Sequence, residues 1–333
     1  MSSSPTKSTV LVTGACGYIG SHVARMLSEQ GYKVVVIDNL STGFKDALIH
    51  GETLYQGDVG DAALQERVFT ENKITAILHF AAAIRVEESV ADPVKYYSNN
   101  TVNTLKLLNA AVKYQVPRVI FSSTAATYGQ PRKVPVDETA ATIPESPYGW
   151  SKLMSEQMLR DIAAAHGIKN VILRYFNVAG ADPLGRLGQR TPEASHLIKV
   201  ACEVAVGKRQ QMQVYGTDYA TPDGTCVRDY IHVEDLANAH LLALQHLLGG
   251  GESSLLNCGY GHGSSVREVI AAVKKVSGKD FKVLDAPRRA GDVASIVANA
   301  DKIRQTLHWK PRFDDLETIV KHAFEWEKKL RQL

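Results

Sequence analysis

In the segment SPYGWSK, Tyr148 and Lys152 stand one helical turn apart, directly after Pro147, a residue suited to the first position of a helix. Side chains at this spacing share a helix face, so the lysine ammonium can lie beside the phenol. A free phenol titrates near ~10 and is a poor base at neutral pH, whereas a neighbouring cation favours the phenolate and lets it take a hydroxyl proton. Alone, the pair reads more readily as two exposed helical residues. Its setting changes that reading. The upstream apolar run Arg118 to Ser123 leads into Ser122, Ser123 and Thr124, small hydroxyls at the end of an expected parallel strand, where ligands of such sheets bind. The combination suits removal of hydrogen from a hydroxyl-bearing carbon.

Such chemistry needs an acceptor for the carbon-bound hydrogen, and the segment TGACGYIG offers a place for one. Gly14, Gly17 and Gly20 fall between a β-branched run, Thr9 to Thr13, and helical periodicity through Ile19, Val23, Met26 and Leu27. Missing Cβ atoms there let the backbone approach a pyrophosphate at a helix N-terminus. The spacing G-x-x-G-x-x-G differs from G-x-G-x-x-G. The next apolar run, Tyr32 to Asp38, ends in an acid. A carboxylate at that point accepts from both adenosine ribose hydroxyls and repels a 2′-phosphate, and no arginine follows in NLSTG, so NAD is expected rather than NADP. Asp38 also reads as a turn residue beside Asn39. Asp58 either touches the adenine amine or caps a helix beginning near Ala62.

Further strand-like runs occur at Ala76 to Ala82 and Asn170 to Phe176, with helical stretches between. This alternation predicts a doubly wound α/β fold, a parallel sheet covered on both faces. A loop rich in Gly, Pro and charge follows from Asn177 to Pro192, then an expected helix around Ala194 to Gly207, then short strands and turns. The organisation expected is a dinucleotide-binding domain over 1–177, rejoined by about 230–255 through the helix Val233 to Leu248, and a smaller, mainly substrate-binding α/β domain over 178–333.

The chain has 333 residues, 44% hydrophobic and 22% charged, enough for a sizeable core. Its formal charge of +3, from 38 basic and 35 acidic residues, includes no polybasic block of the kind that meets nucleic acid or a membrane surface. Cys16, Cys202, Cys226 and Cys258 have no metal-ligand spacing, so no metal is expected and reduced, buried thiols are. The segment MSSSPTKSTV lacks the apolar core of a signal peptide, and no stretch has the length to span a bilayer. A cytoplasmic protein is the expectation.

With these motifs the chain resembles the extended short-chain dehydrogenase/reductase family, the NAD-dependent epimerases and dehydratases, and within it the enzymes that invert C4 of UDP-hexoses. The resemblance covers nearly the whole chain, from TGACGYIGSH, IDNLSTG, HFAA, YYSNN and SSTAATYG through SPYGWSK and LRYFNVAGA to GTDYATPDGTCVRDYIHVEDLA and APRRAGD; Gly216 to Val233 is the most diagnostic part. It implies a Rossmann fold, a tightly bound NAD regenerated at each turnover, and interconversion of UDP-glucose and UDP-galactose. The route implied is C4 oxidation, rotation of a 4-keto intermediate and reduction on its opposite face. Thr124, Tyr148 and Lys152 are the implied catalytic residues. NAD would be held by Gly14, Gly17, Tyr18, Ile19, Gly20, Asp38, Asn39, Asp58, Val59, Phe80, Ala81, Ala82, Asn99, Tyr148, Lys152 and Phe176. The UDP-sugar would meet Thr124, Asn177, His196, Leu197, Tyr215, Arg228, Arg289, Asp292 and Ile296. A homodimer joined through helices near Pro93 to Tyr114 and Tyr148 to His166 is implied too, while the same apolar stripes also suit packing on the sheet alone.

A pyrophosphate calls for planar bidentate donors, which agrees with the arginines. Read singly, Arg228 pairs with Asp229 and Arg289 is a solvated surface residue. Tyr215 either stacks on uracil or is a core aromatic. The related dehydratases carry an Asp-Glu pair directly after the catalytic threonine; Ala125 and Ala126 stand there, so elimination lacks its acid and base and epimerisation is favoured. A non-catalytic NAD sensor, the other alternative, has no need of Tyr148, Lys152 and the strand-end hydroxyls. Three positions depart from the pattern. Ile84, followed by Arg85, stands where many relatives have a lysine. His196 replaces an amide at the sugar or is an ordinary histidine at a helix start. Ile296 is intermediate in size, which predicts UDP-glucose and UDP-galactose as main substrates, little or no use of UDP-N-acetylhexosamines, and room for UDP-pentoses.

Overall fold

A computed structural model describes residues 7–332 apart from Glu193 and Ala290. The apolar runs form β1 (Lys7–Thr13), β2 (Tyr32–Asp38), β3 (Thr53–Gln56), β4 (Ile74–His79), β5 (Arg118–Thr124) and β6 (Lys169–Tyr175). Later strands are β7 (Asn177–Ala179), β8 (Gln211–Tyr215), β9 (Val227–Arg228), β10 (Tyr230–His232), β11 (Ser254–Cys258), β12 (Ser264–Ser265), β13 (Lys282–Ala286) and β14 (Ser295–Ile296). The main sheet has seven strands in the order β11-β6-β5-β4-β1-β2-β3. β1 pairs in parallel with β2 and β4, and β2–β3 and β4–β5 are parallel as well. Strand order reverses at β1, so the C-terminal ends of β1 and β4 flank the switch point at which doubly wound sheets bind ligands. Val10, Leu11 and Val12 are wholly buried, as strands covered on both faces require.

The helices are α1 (Tyr18–Glu29), α2 (Ala62–Glu71), α3 (Val86–Ala91), α4 (Pro93–Tyr96), α5 (Asn103–Lys113), α6 (Pro147–His166), α7 (Leu197–Ala205), α8 (Val233–Leu248), α9 (Val266–Ser277), α10 (Asp301–Leu307) and α11 (Leu316–Gln332). Local chemistry fixes the ends of α6. Ser146 accepts from the Gly149 amide at 3.2 Å, Pro147 occupies the first turn, and Gly167 ends the helix at φ +70°. Tyr148 is thereby held in the first turn of the helix.

Three expectations from the sequence need adjustment. β4 stops at His79 and Phe80 to Ala82 are loop, with the Phe80 amide making the last bond to β1, to the Thr13 carbonyl at 3.0 Å. The helix expected over Ala194 to Gly207 is the shorter α7. Between α4 and α5 lies a π-helical segment, Tyr97–Val102, a device common at functional sites, and it carries Asn99 and Asn100.

The chain divides into two compact units: residues up to 127 with 146–174 and 237–256, and residues 128–145 with 175–236 and 257 onward. The first contains β1 to β6 and most of α8. In the second, β8 pairs in parallel with β13, β9 lies between β12 and β14, and α7, α9 and α11 pack together. Segment 128–145 is fastened within the second unit: Tyr128 donates to Asn257 Oδ1 at 2.6 Å, and Asn257 Nδ2 donates to the Val136 carbonyl at 2.9 Å. Among the described residues no helix is long and apolar enough to cross a membrane, and no group of three or more His, Cys, Asp or Glu is placed to hold a metal. All four cysteines are buried free thiols.

Candidate active site

In the first unit, Gly14, in the loop after β1, and Gly20, in the first turn of α1, have no space for a side chain. A Cβ on Gly14, whose φ is +73°, would lie 2.7 Å from the Ala81 nitrogen, and one on Gly20 would lie 2.2 Å from the Gly14 carbonyl oxygen. These contacts press α1 and the loop after β4 onto the phosphate loop. Gly17 caps α1 with no side-chain hydrogen bond and no acid stands in the first turn, so the amides of Tyr18 and Ile19 face an uncovered helix N-terminus, the arrangement that accepts a pyrophosphate. Asp38 ends β2 buried, accepting from the Cys16 amide at 2.9 Å and the Leu40 amide at 2.8 Å. Burial and the Asp38 charge push the Cys16 thiol up to about 12, so it stays protonated. Asp58 is not a helix cap. Its Oδ1 accepts from the Gly60 amide at 2.7 Å and from Asn103 Nδ2 at 2.8 Å, while the cap of α2 is Asp61, which accepts from Ala63 and Leu64. Val59 is buried beside it.

Beyond β4, Asn100 holds the loop that carries Ala81 and Ala82. The Ala83 amide donates to Asn100 Oδ1 at 2.8 Å, and Asn100 Nδ2 donates to the Ala83 carbonyl at 2.9 Å and to Ser151 Oγ at 3.0 Å. Asn99 donates to the same Oδ1 at 3.0 Å. Ile84 is 44% exposed, and Arg85 lends its amide to the Tyr96 hydroxyl. Asn39 faces its own turn, accepting from the Ser41 amide.

Tyr148, Thr124 and Lys152 meet at the end of β5. Burial raises the Tyr148 phenol above its ordinary value, and a hydrogen bond with the Thr124 hydroxyl pulls it back. Tyr96 packs edge-on to the Tyr148 ring with centroids 6.3 Å apart. Lys152 is buried, donates from Nζ to the Ser122 carbonyl at 2.9 Å and lies 4.9 Å from the centre of the Phe121 ring. Burial draws its ammonium down to about 8, against the opposing charge of Glu156. Ala125 and Ala126 follow in a tight turn, Ala125–Thr127, and place no acid or base there.

The second unit gathers a different set. Arg228 Nη2 stands 3.9 Å from Asp292 Oδ1, and Arg289 Nε donates to Asp292 Oδ2 at 3.0 Å. The Arg289 guanidinium also lies over the half-buried Tyr215 ring, 4.6 Å from its centre. Ile296, buried, is the β14 partner of Arg228. The pairing of Arg228 with Asp229 is not formed, because Asp229 points inward and accepts from the amides of Tyr260, Gly261 and Ala298. Asn177, His196 and Leu197 line one pocket with Gln189, whose Nε2 is 2.8 Å from His196 Nδ1. His196 stands immediately before α7. Phe176 is buried and belongs to this unit.

Residues 10–259 match the NAD dependent epimerase/dehydratase family. The chain belongs to that family. Similar members of this epimerase/dehydratase family include the UDP-glucose 4-epimerase of Azospirillum brasilense, 55% identical over 97% of this chain and 93% of that one. The crystal structure of UDP-glucose 4-epimerase from Bifidobacterium longum in complex with NAD+ and UDP is 42% identical, with a TM-score of 0.92 over 97% of this chain and 98% of that one. The UDP-Glc/GlcNAc 4-epimerase from Campylobacter jejuni is 50% identical, with a TM-score of 0.85 over 97% of this chain and all of that one (100%).

The sequence reading missed the residues that hold this family's motifs in place. Asn100, Ser151, Ser123, Glu156, Arg174 and His240 are all buried and hydrogen-bonded around α6 and the end of β5. Ser123 and Arg174 both donate to Glu156, at 2.5 Å and, for Arg174, at 2.9 and 2.6 Å. A Glu on the apolar face of α6 was the available signal, since a buried carboxylate needs such partners.

Proposed function

We infer that the chain interconverts UDP-glucose and UDP-galactose with NAD as cofactor. The observation that carries this reading is the Thr124–Tyr148 hydroxyl pair at the end of β5, beside the anchored Lys152 and followed by two alanines. The close-packed glycine loop, the uncapped start of α1 and the buried Asp38 fit an NAD pyrophosphate and adenosine ribose. NAD held by these residues would supply a reversible acceptor for the hydrogen and electron pair of the sugar C4–H. Tyr148 removes the O4 proton with Thr124 bridging to the same oxygen, and Lys152 adds positive charge that favours the phenolate. Arg228 and Arg289 grip the diphosphate as planar donors, Tyr215 offers a face to uracil, and Asp292 accepts hydrogen bonds from the ribose hydroxyls. A hexose held loosely beyond that grip swings about its phosphate bonds once C4 is a ketone, and Tyr148 returns the proton after the other face has come round. The other residues of the two sets, Gly17, Val59, Phe80, Asn99 and Phe176 among them, shape the walls of the cofactor and substrate sites.

The lack of an acid and base at positions 125 and 126 argues against dehydration, and the intermediate size of Ile296 favours unsubstituted hexoses as substrates. The substrate assay is incubation with UDP-galactose and with UDP-N-acetylgalactosamine. Formation of UDP-glucose at a much higher kcat/KM than of UDP-N-acetylglucosamine is expected, and equal efficiency overturns the role given to Ile296. The dimer belongs to the same reading. Val90, Val94, Val102, Leu105, Trp150 and Met154 are all at least 39% exposed on α3 to α6, an apolar surface suited to a second copy. Light scattering at twice the chain mass of 36.4 kDa supports it, and a monomer at working concentration overturns it.

A further inference from the structure

Three successive residues close β5, and each has its own partner in the first unit. Thr124 bonds Tyr148, Ser123 donates to Glu156, and Ser122 has two attachments. Its carbonyl accepts from Lys152 Nζ at 2.9 Å, while its hydroxyl lies 2.8 Å from Nε2 of His240 on α8. His240 is wholly buried, and its ring packs against Phe80 with centroids 4.7 Å apart. Phe80 opens the loop after β4, where its amide is fixed to the Thr13 carbonyl at 3.0 Å. One imidazole thus ties the ends of β4 and β5 together beneath the residue that carries the functional ammonium.

We propose that His240 is a positioning residue for Lys152, acting through Ser122. A buried ammonium is tolerated only where its donors find acceptors, and the carbonyl that serves Lys152 belongs to the residue whose side chain His240 holds. Rotation of the Ser122 peptide would move that carbonyl and the ammonium with it. A displacement of about 1 Å at a catalytic group can cost roughly a hundredfold in rate. His79, on the other side, cannot take over. Burial and the Lys152 charge hold its imidazole neutral, down at about 3, and its two nitrogens are engaged by Thr13 at 2.6 Å and Thr104 at 2.9 Å. With Tyr148 and Lys152 acting as proposed above, slackening of the His240–Ser122 bond leaves the phenolate with a less well-placed cation.

The test uses the purified holoenzyme and four variants: His240→Phe, which keeps a ring against Phe80 without the hydrogen bond, His240→Gln, which can restore a polar contact to Ser122, Ser122→Ala, and the double variant that combines His240→Phe with Ser122→Ala. Two readouts are taken, steady-state kinetics on UDP-galactose and the ionisation midpoint of Tyr148 by phenolate absorbance, as a difference against Tyr148→Phe. His240→Phe and Ser122→Ala are each expected to lower kcat about tenfold with KM held within about twofold, and to raise the phenol midpoint by roughly half a unit or more. His240→Gln recovers part of both losses, and the double variant is no worse than either single one. A folded His240→Phe with wild-type kcat and midpoint, equal losses in the Gln and Phe variants, or multiplicative losses in the double variant would overturn the proposal. Absence of epimerisation in the unaltered protein would instead overturn the function proposed above, and the phenol titration still decides the role of His240.

Discussion

Lys152 and Ser122 are joined by one bond from a buried ammonium to a backbone carbonyl, 2.9 Å long, and the cost of hiding that charge follows from it. Burial lowers the lysine from 10.5 to about 8. Between those values the unfolded chain keeps a proton that the folded one has released, so stability rises with pH across the window and is reduced below it. Lys152→Met should therefore abolish turnover yet stabilise nucleotide-free protein at neutral pH by up to about 3 kcal/mol. The gain should shrink to nothing as pH climbs through that window, which denaturant unfolding at neutral and alkaline pH will check.

Tyr148→Phe removes the proposed proton acceptor and leaves the ring packed against Tyr96. A loss in kcat of about a thousandfold is expected, within the range for general acid–base groups, with bound NAD and KM nearly unchanged. Thr124→Val takes away the bond that offsets the burial of the phenol, so its loss should be smaller and should ease at higher pH. Steady-state kinetics over pH with nucleotide content measured on the same preparations separates the two.

For Arg228 and Arg289, which converge on Asp292, the expected signature is in binding. Truncating either to Ala should weaken UDP by roughly tenfold or more, since charge-assisted hydrogen bonds are worth about 1.5–3 kcal/mol each. Titration calorimetry with UDP alone reads this without turnover. Unchanged affinity in both variants would remove the diphosphate grip from the account.

Asp38→Asn keeps the size of the side chain but weakens the acceptor for ribose hydroxyls. Acid release of nucleotide from the purified variant should yield far less than one NAD per chain, against about one for the unaltered protein. NADP in place of NAD in the unaltered protein would contradict the role given to Asp38.

Much of the fold was legible because buried parallel strands leave uninterrupted apolar runs: the run Tyr32 to Asp38 is β2 residue for residue. The start of α6 was legible from Pro147, and the Tyr148–Lys152 spacing from helical geometry, whereas the Ser146 cap was not read. The π-helical segment Tyr97–Val102 was not, since no local pattern distinguishes it from the α-helix on either side. Asp58 was ambiguous because two aspartates precede α2, and only the backbone decides which one caps. Arg228 was read against its sequence neighbour Asp229, but adjacent residues of a strand point to opposite faces, and its true partner Asp292 is distant in sequence. His240 left no sign at all. Its meaning lies in a contact with Ser122 across 118 positions.

In the proposed reaction one hydrogen leaves C4, and the same hydrogen returns to it from a cofactor that stays bound. UDP-galactose deuterated at C4, given to the purified protein without added NAD, tests it directly. The expected product is UDP-glucose that keeps its deuterium at C4 through many turnovers, with no reduced nicotinamide in solution. Loss of the deuterium to water, or its release on free reduced nicotinamide, would contradict it.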